Sequence, residues 1–200
     1  MTVWFVPKDA AARSVGADEV ATALLARGEE VVRTGSRGLL WLEPLVECAE
    51  DRQGSRIGWA NVTVEDIVEG VLDERHSAYL GEVAAMDFLT GQQRWIYQRV
   101  GIIDPVDPAD YECHGGLQGL RAALERSPAE VLDAVKESGL RGRGGAGFPA
   151  GIKWQTVADQ APEPLRGQSA RSSRHKYICV NADEGDSGTF ADRMLMEGDP

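Results

Sequence analysis

The sequence predicts an α/β protein in two folded parts joined by an arm. Three observations support this. Strands and helices alternate over residues 1–75, regular spacing is lost over 76–115, and a second series of helices leading to an apolar strand begins at Gly116. The 200 residues suffice for one large or two small cores, and 42% hydrophobic with 26% charged residues is a globular composition.

In the first part, "VWFVP" (3–7) reads as a strand and "ADEVATALLARGEE" as a helix with apolar residues at helical spacing. "EVVRTG" is a second strand; "GLLWLEPLVEC" and "RIGWANV" supply further short ones across the turn-prone "AEDRQGS". "TVEDIVEGVLDE" closes the part as a helix, with Thr63 and Asp66 at capping-box spacing. This order suits a small α/β sandwich. Residues 76–115 mix aromatics with proline-bounded extended chain, as an arm does that packs on a partner subunit or on its own domain.

From Gly116, "LQGLRAALERS" is a helix. "SPAEVLDAVKESG" follows with Ser127 as N-cap, Pro128 at N1, Glu130 at N3 and Gly139 at the stop. "KYICV" (176–180) reads as a buried strand, and "NADEGDSGTFADR" as a loop entering a helix.

Charge and residue counts limit the function. A net charge of -11 argues against nucleic acid as partner. The apolar runs are too short to span a membrane and the N-terminus lacks the layout of a signal peptide, so the cytoplasm is expected. Cys48, Cys113 and Cys179 form no C-x-x-C pair, and His76, His114 and His175 show no ligand spacing, so a metal site within the chain is not expected. Residues 141–176 nevertheless hold seven cations (141, 143, 153, 166, 171, 174, 176) against Asp159 and Glu163, a local +5 that suits an anion.

The stretch "SGLRGRGGAGFPAGIKW" (138–154) sets six glycines among Arg141, Arg143 and Lys153. "GRGGAG" spells G-x-G-x-x-G, but a capped helix stands where the dinucleotide fingerprint needs a strand, and position 167 is glycine where it needs an acid. The phosphate P-loop fails too, because Trp154 occupies its Ser/Thr position. The physical logic of both motifs survives. Glycine backbone approaches an anion closely, consecutive amides form a nest, Pro149 starts a helix whose N-terminus is positive, and Phe148 offers a face to a planar ring. The alternative is a structural turn between helices. Asp183, Glu184 and Asp186 would accept hydrogen bonds from ribose hydroxyls, ring N–H groups or a carboxamide. A calcium loop does not fit, since glycine falls one position early; a solvated acidic turn is the alternative.

"SGLRGRGGAGFPAGIKW" and "KYICVNADEGDSGTFADR", in that order, resemble the flavin- and NADH-binding subunits of respiratory complex I and of soluble NAD-linked formate dehydrogenases and hydrogenases. The resemblance covers roughly residues 116–200. It implies that Gly142, Arg143, Gly144, Gly145, Ala146 and Gly147 present backbone to FMN, that Lys153 reaches it as a cation, and that Phe148 stacks near the NADH rings. Asn181, Asp183 and Glu184 would hydrogen-bond the flavin. Asp186 stands where many relatives carry glutamate and would face NADH at shorter reach; Thr156 replaces an aromatic found in some relatives.

Residues 1–75 resemble the thioredoxin-like ferredoxin domain of these systems without the cluster cysteines, which implies a docking module. That fusion, "GDSGTFADRMLMEGDP" and "RVGIIDP" are most similar to the formate dehydrogenase version. The implied protein is the N-terminal fragment of a diaphorase subunit using FMN and NAD, with [4Fe-4S] ligands beyond residue 200. Its implied partners are a molybdenum-containing catalytic subunit and a [2Fe-2S] thioredoxin-like subunit. No side chain is a compelling acid–base catalyst, as suits hydride transfer. An NAD-reducing hydrogenase subunit and a non-catalytic scaffold with a vestigial pocket are the alternatives.

Overall fold

The computed structural model describes residues 2–160 and 177–200. Arg166, Arg171, Arg174 and Lys176, four of the seven cations noted above, lie outside the described residues, as do Glu163 and His175. The chain divides into two compact units, 1–115 with 182–200, and 116–181.

The first unit is built on a mixed sheet. β1 (Val3–Pro7), α1 (Ala10–Arg13), α2 (Ala17–Ala26) and β2 (Glu30–Thr34) form a parallel crossover in which Val3 faces Glu30 and Pro7 faces Thr34. β3 (Val46–Ala49) runs antiparallel to β1, and β4 (Ile57–Trp59) antiparallel to β3. α3 (Val64–Glu69) follows, and β5 (Tyr79–Glu82) then pairs antiparallel with β4, giving the order β2-β1-β3-β4-β5. This is the α/β, thioredoxin-like arrangement expected from the sequence. β5 lies within the stretch whose spacing reads as an arm; a four-residue edge strand is too short to show a period. α4 (Asp87–Thr90) and α5 (Pro108–Cys113) complete the run.

The core explains why β1 is apolar throughout. Val6 packs with Ala12, Val20, Ala21, Leu24, Trp59 and Ile67 on the helical side, whereas Val3 and Phe5 join Val32 and Ala49 on the other. Arg56 lies over that second face, its guanidinium 3.4 Å from the Phe5 ring centroid. It donates to the carbonyls of Gly101 (3.2 Å) and Ile102 (2.7 Å), tying buried Val100 and Ile103 to the sheet. Burial lowers the Arg56 pKa to about 10. A strand covered on both faces reads as a continuous apolar run.

The capping residues behave as their chemistry requires. Thr63 and Asp66 form a complete capping box on α3, and Asp9 caps α1 by accepting from the amides of Ala11 and Ala12. Two buried acids sit nearby in the chain. Glu47 accepts from Nε and Nη2 of Arg37 at 2.7 and 2.8 Å, while Glu43 accepts from Ser36 Oγ (2.7 Å) and the Leu45 amide (2.8 Å).

The second unit contains α6 (Gln118–Leu124), α7 (Pro128–Glu137) and α8 (Ala150–Asp159). α7 carries the expected box, Ser127 with Glu130, with Pro128 in its first turn. The buried strand expected at 176–180 is not formed over its described residues. Residues 177–180 lie outside any sheet, with Ile178 93% exposed. β-branched content favours a strand only where a neighbour supplies ladder partners, and the described residues of this unit include no sheet. Residues 182–200 belong to the first unit, where α9 (Ala191–Gly198) ends with buried Asp199 accepting from Arg99 Nε at 3.0 Å.

Candidate functional site

The glycine stretch of the second unit forms a closed loop between two helices. The Ala150 amide donates to the Leu140 carbonyl and the Gly142 amide to the Phe148 carbonyl, both at 2.8 Å, with Arg141 and Pro149 bridged between them. Arg141 Nε reaches across the neck to the Gly147 carbonyl at 2.5 Å. Gly145 (φ 103°) and Gly147 (φ 60°) are left-handed, which costs an L-residue about 1–2 kcal/mol. A Cβ on Gly144 or Gly145 would have no atom within 4 Å, so the loop tip is open to a ligand.

α8 starts directly after Pro149, which occupies the N-cap position without a side-chain cap bond, and brings Lys153 beside the neck. Lys153 Nζ lies 5.8 Å from the Phe148 ring centroid and 3.8 Å from the position of a Gly142 Cβ. Gly142, Phe148 and Lys153 thus converge, while Arg143 and Ala146 are exposed on the loop. Among the described residues no carboxylate pairs with Arg143 or Lys153. A bare backbone, two cations without counter-ions and a half-exposed aromatic ring fit a phosphorylated planar group. In the sequence Arg141 is one cation among several and does not stand out as a site residue; its place opposite Gly147, six residues on across a glycine loop, is the signal that marks it as the clasp.

The predicted polar residues fall on both sides of the unit boundary, with all three acids in the first unit. Asn181 ends the second unit; Asp183, Glu184 and Asp186 open the segment belonging to the first. Glu184 is a helix cap. Its Oε1 accepts from the amides of Ala191 (2.8 Å) and Asp192 (3.3 Å), and its Oε2 from Arg193 (3.4 Å). Asp186 is exposed and its carbonyl accepts from the Thr189 amide at 3.2 Å, closing a turn before α9.

No group of three or more His, Cys, Asp or Glu side chains arranged to hold a metal occurs among the described residues, and no helix there is long and apolar enough to cross a membrane.

Comparison with known proteins bears on this loop directly. Residues 135–200 match the Nuo51 FMN-binding domain. An NADH-quinone oxidoreductase subunit of Rhizobium meliloti (strain 1021) is 53% identical over 91 residues, 45% of this chain and 19% of that protein. The NADP-reducing hydrogenase subunit HndC of Solidesulfovibrio fructosivorans is 46% identical over 109 residues, 54% of this chain and 20% of that protein. A thioredoxin-like [2Fe-2S] ferredoxin from Aquifex aeolicus shares 18% identity over 37% of this chain and 79% of its own, at a TM-score of 0.31, a likeness too slight to bear on the assignment. The glycine loop and α8 thus lie within the stretch that is similar to this FMN-binding domain. Residues 135–200 are, in particular, similar to the complex I 51 kDa-like FMN-binding domain, the resemblance their motifs carry. FMN and NAD, the cofactors expected from the sequence, are consistent with the names of the matching domain and its relatives. The chain spans about a fifth of the length of the curated relatives it matches.

Proposed function

We propose that this chain is part of the diaphorase subunit of a cytoplasmic NAD-dependent formate dehydrogenase, an oxidoreductase that passes electrons through FMN to NAD+. The observation that carries the reading is the glycine loop clasped by Arg141 and flanked by Lys153, inside a segment matching an FMN-binding domain. FMN, when bound, supplies the exchange between single electrons and the hydride that nicotinamide accepts.

The chain's own residues bind and orient. Gly142, Gly144, Gly145 and Gly147 admit the ligand to the backbone; Arg143 and Lys153 compensate phosphate charge; Phe148 offers its face to a ring. Asn181, Asp183 and Asp186 take up polar edges of flavin and nucleotide. Glu184 keeps one unused lone pair, on Oε2, after capping α9, so it holds α9 and can still accept from the flavin. Electrons arrive from a molybdenum-containing catalytic subunit by way of a [2Fe-2S] thioredoxin-like subunit and a [4Fe-4S] cluster with ligands outside these 200 residues. Residues 1–75 dock the assembly.

The formate assignment rests on the N-terminal fusion and the wording around "RVGIIDP" and "GDSGTFADRMLMEGDP". An NAD-reducing hydrogenase subunit is the second reading, favoured by the 109-residue alignment with HndC. Purifying the intact complex and measuring its metals separates the two: molybdenum with formate-dependent NAD+ reduction supports the first, nickel with hydrogen-dependent reduction the second. A complex holding no FMN and reducing no dye with NADH would leave only a scaffold role.

A further inference from the structure

The first unit contains a cavity of about 500 Å³ that the proposed electron transfer does not use. Its walls are mostly apolar, with Leu40, Phe88, Phe190 and Met194 among them, and Arg37 and Arg94 also line it, without any Asp or Glu. Its size falls in the range of small-molecule sites, roughly 300–1,000 Å³.

The two cations differ. Arg37 is neutralised by its bidentate pair with Glu47. Arg94 donates through Nε to Gln92 Oε1 at 3.2 Å and through Nη2 to the Arg37 carbonyl at 2.7 Å, both neutral acceptors. No carboxylate among the described residues pairs with it, and its two hydrogen bonds leave Nη1 for a ligand. Burial, then the nearby Arg37 charge, hold its pKa below the usual arginine value. A partly buried cation without a counter-ion is costly, and an anion placed there removes the cost.

We propose that this cavity binds a small organic monoanion, a carboxylate carried on an aromatic or branched aliphatic body, with the carboxylate on Arg94 and the body between Phe88 and Phe190. One unneutralised cation matches one negative charge; a phosphate dianion would bury a second charge without a partner. The apolar walls also disfavour a ligand rich in hydroxyl groups, which would lose its water without replacement hydrogen bonds.

The test uses the full chain, with 2-naphthoate and its neutral counterpart 2-naphthamide as probes in isothermal titration. Naphthoate is expected to saturate with a dissociation constant below about 1 mM, and naphthamide to bind about tenfold more weakly. Arg94→Gln should bring naphthoate down to the naphthamide level while naphthamide binding is unchanged, which shows the cavity intact. Lys153→Gln should leave naphthoate binding unchanged, which separates this site from the glycine loop. Phe190→Ala should weaken both probes several-fold, and it decides the matter if Arg94→Gln fails to fold. No saturable naphthoate binding, equal affinity for the two probes, insensitivity to Arg94→Gln in a folded variant or to Phe190→Ala, or loss in Lys153→Gln overturns the proposal.

Discussion

Gly151 lies against Lys136 so closely that a Cβ added to it would stand 2.7 Å from Lys136 Cγ and 2.9 Å from its Cα. This contact sets α8 against α7 and thereby fixes the two ends of the glycine loop, whose neck is Leu140 to Ala150. Because one obstructing atom is backbone, a rotamer change cannot relieve the clash. Gly151→Ala is therefore expected to destabilise the unit by about 1–3 kcal/mol, read as a lower midpoint of chemical denaturation, and to weaken FMN binding in the full subunit. Unchanged stability would show that the helices can separate freely.

Arg141 bears on the loop alone. Its guanidinium is largely exposed and its Nε bond to the Gly147 carbonyl closes the neck. Arg141→Ala should change overall stability by no more than about 0.5 kcal/mol, in line with an exposed surface position. FMN affinity of the full subunit should nevertheless fall about tenfold, because a loosened loop must be ordered on binding. Flavin fluorescence titration measures the second quantity and thermal denaturation the first.

Glu184 satisfies amides at the start of α9 from seven residues upstream. Its replacement by alanine should cost about 1 kcal/mol, the usual value of a lost cap. The loss should be local: amide hydrogen exchange over Ala191–Gly198 should speed up while that of β1 and β3 is unchanged. Exchange unaltered at α9 would contradict the capping role.

Glu43 gives the first unit a pH dependence. Burial raises its pKa from an ordinary 4.5 to about 7, against the opposing hydrogen bonds from the Leu45 amide and Ser36; the charges of Asp9 and Glu47 add to the rise. A carboxyl with a raised folded-state pKa contributes stability that is complete below about pH 4.5 and is lost as the pH rises through about 7. Wild-type protein should lose on the order of 3 kcal/mol relative to Glu43→Gln between pH 4.5 and 8, measured by urea denaturation across that range. Parallel pH curves for the two proteins would refute this.

The Arg37–Glu47 pair is nearly closed to water, with side-chain exposures of 10% and 4%. Removing one partner leaves the other charge buried, so Glu47→Ala should cost about 3–5 kcal/mol. The double change Arg37→Met with Glu47→Leu should cost much less, since no charge is then stranded. A double-mutant cycle on denaturation midpoints reads the coupling.

Local structure and the chemistry of the loop are written in the order of the residues. β1, α2, β2, α3 and α7 follow from periodicity and caps, because the Thr63–Asp66 and Ser127–Glu130 boxes are satisfied within four residues and need nothing from the rest of the chain. The glycines and cations of 141–153 likewise mark a candidate anion site, since a residue's conformational freedom and its charge are properties of the residue. Whatever depends on a distant partner was settled by folding. Pairing with β4 made 79–82 an edge strand, 177–180 were left outside any sheet, and Glu184 became the cap of α9. Folding also placed Arg94 in the lining of an apolar cavity without a counter-ion among the described residues. Strand pairing, burial and ion pairing are relations between residues far apart in the chain, and their energies depend on which neighbours the fold supplies.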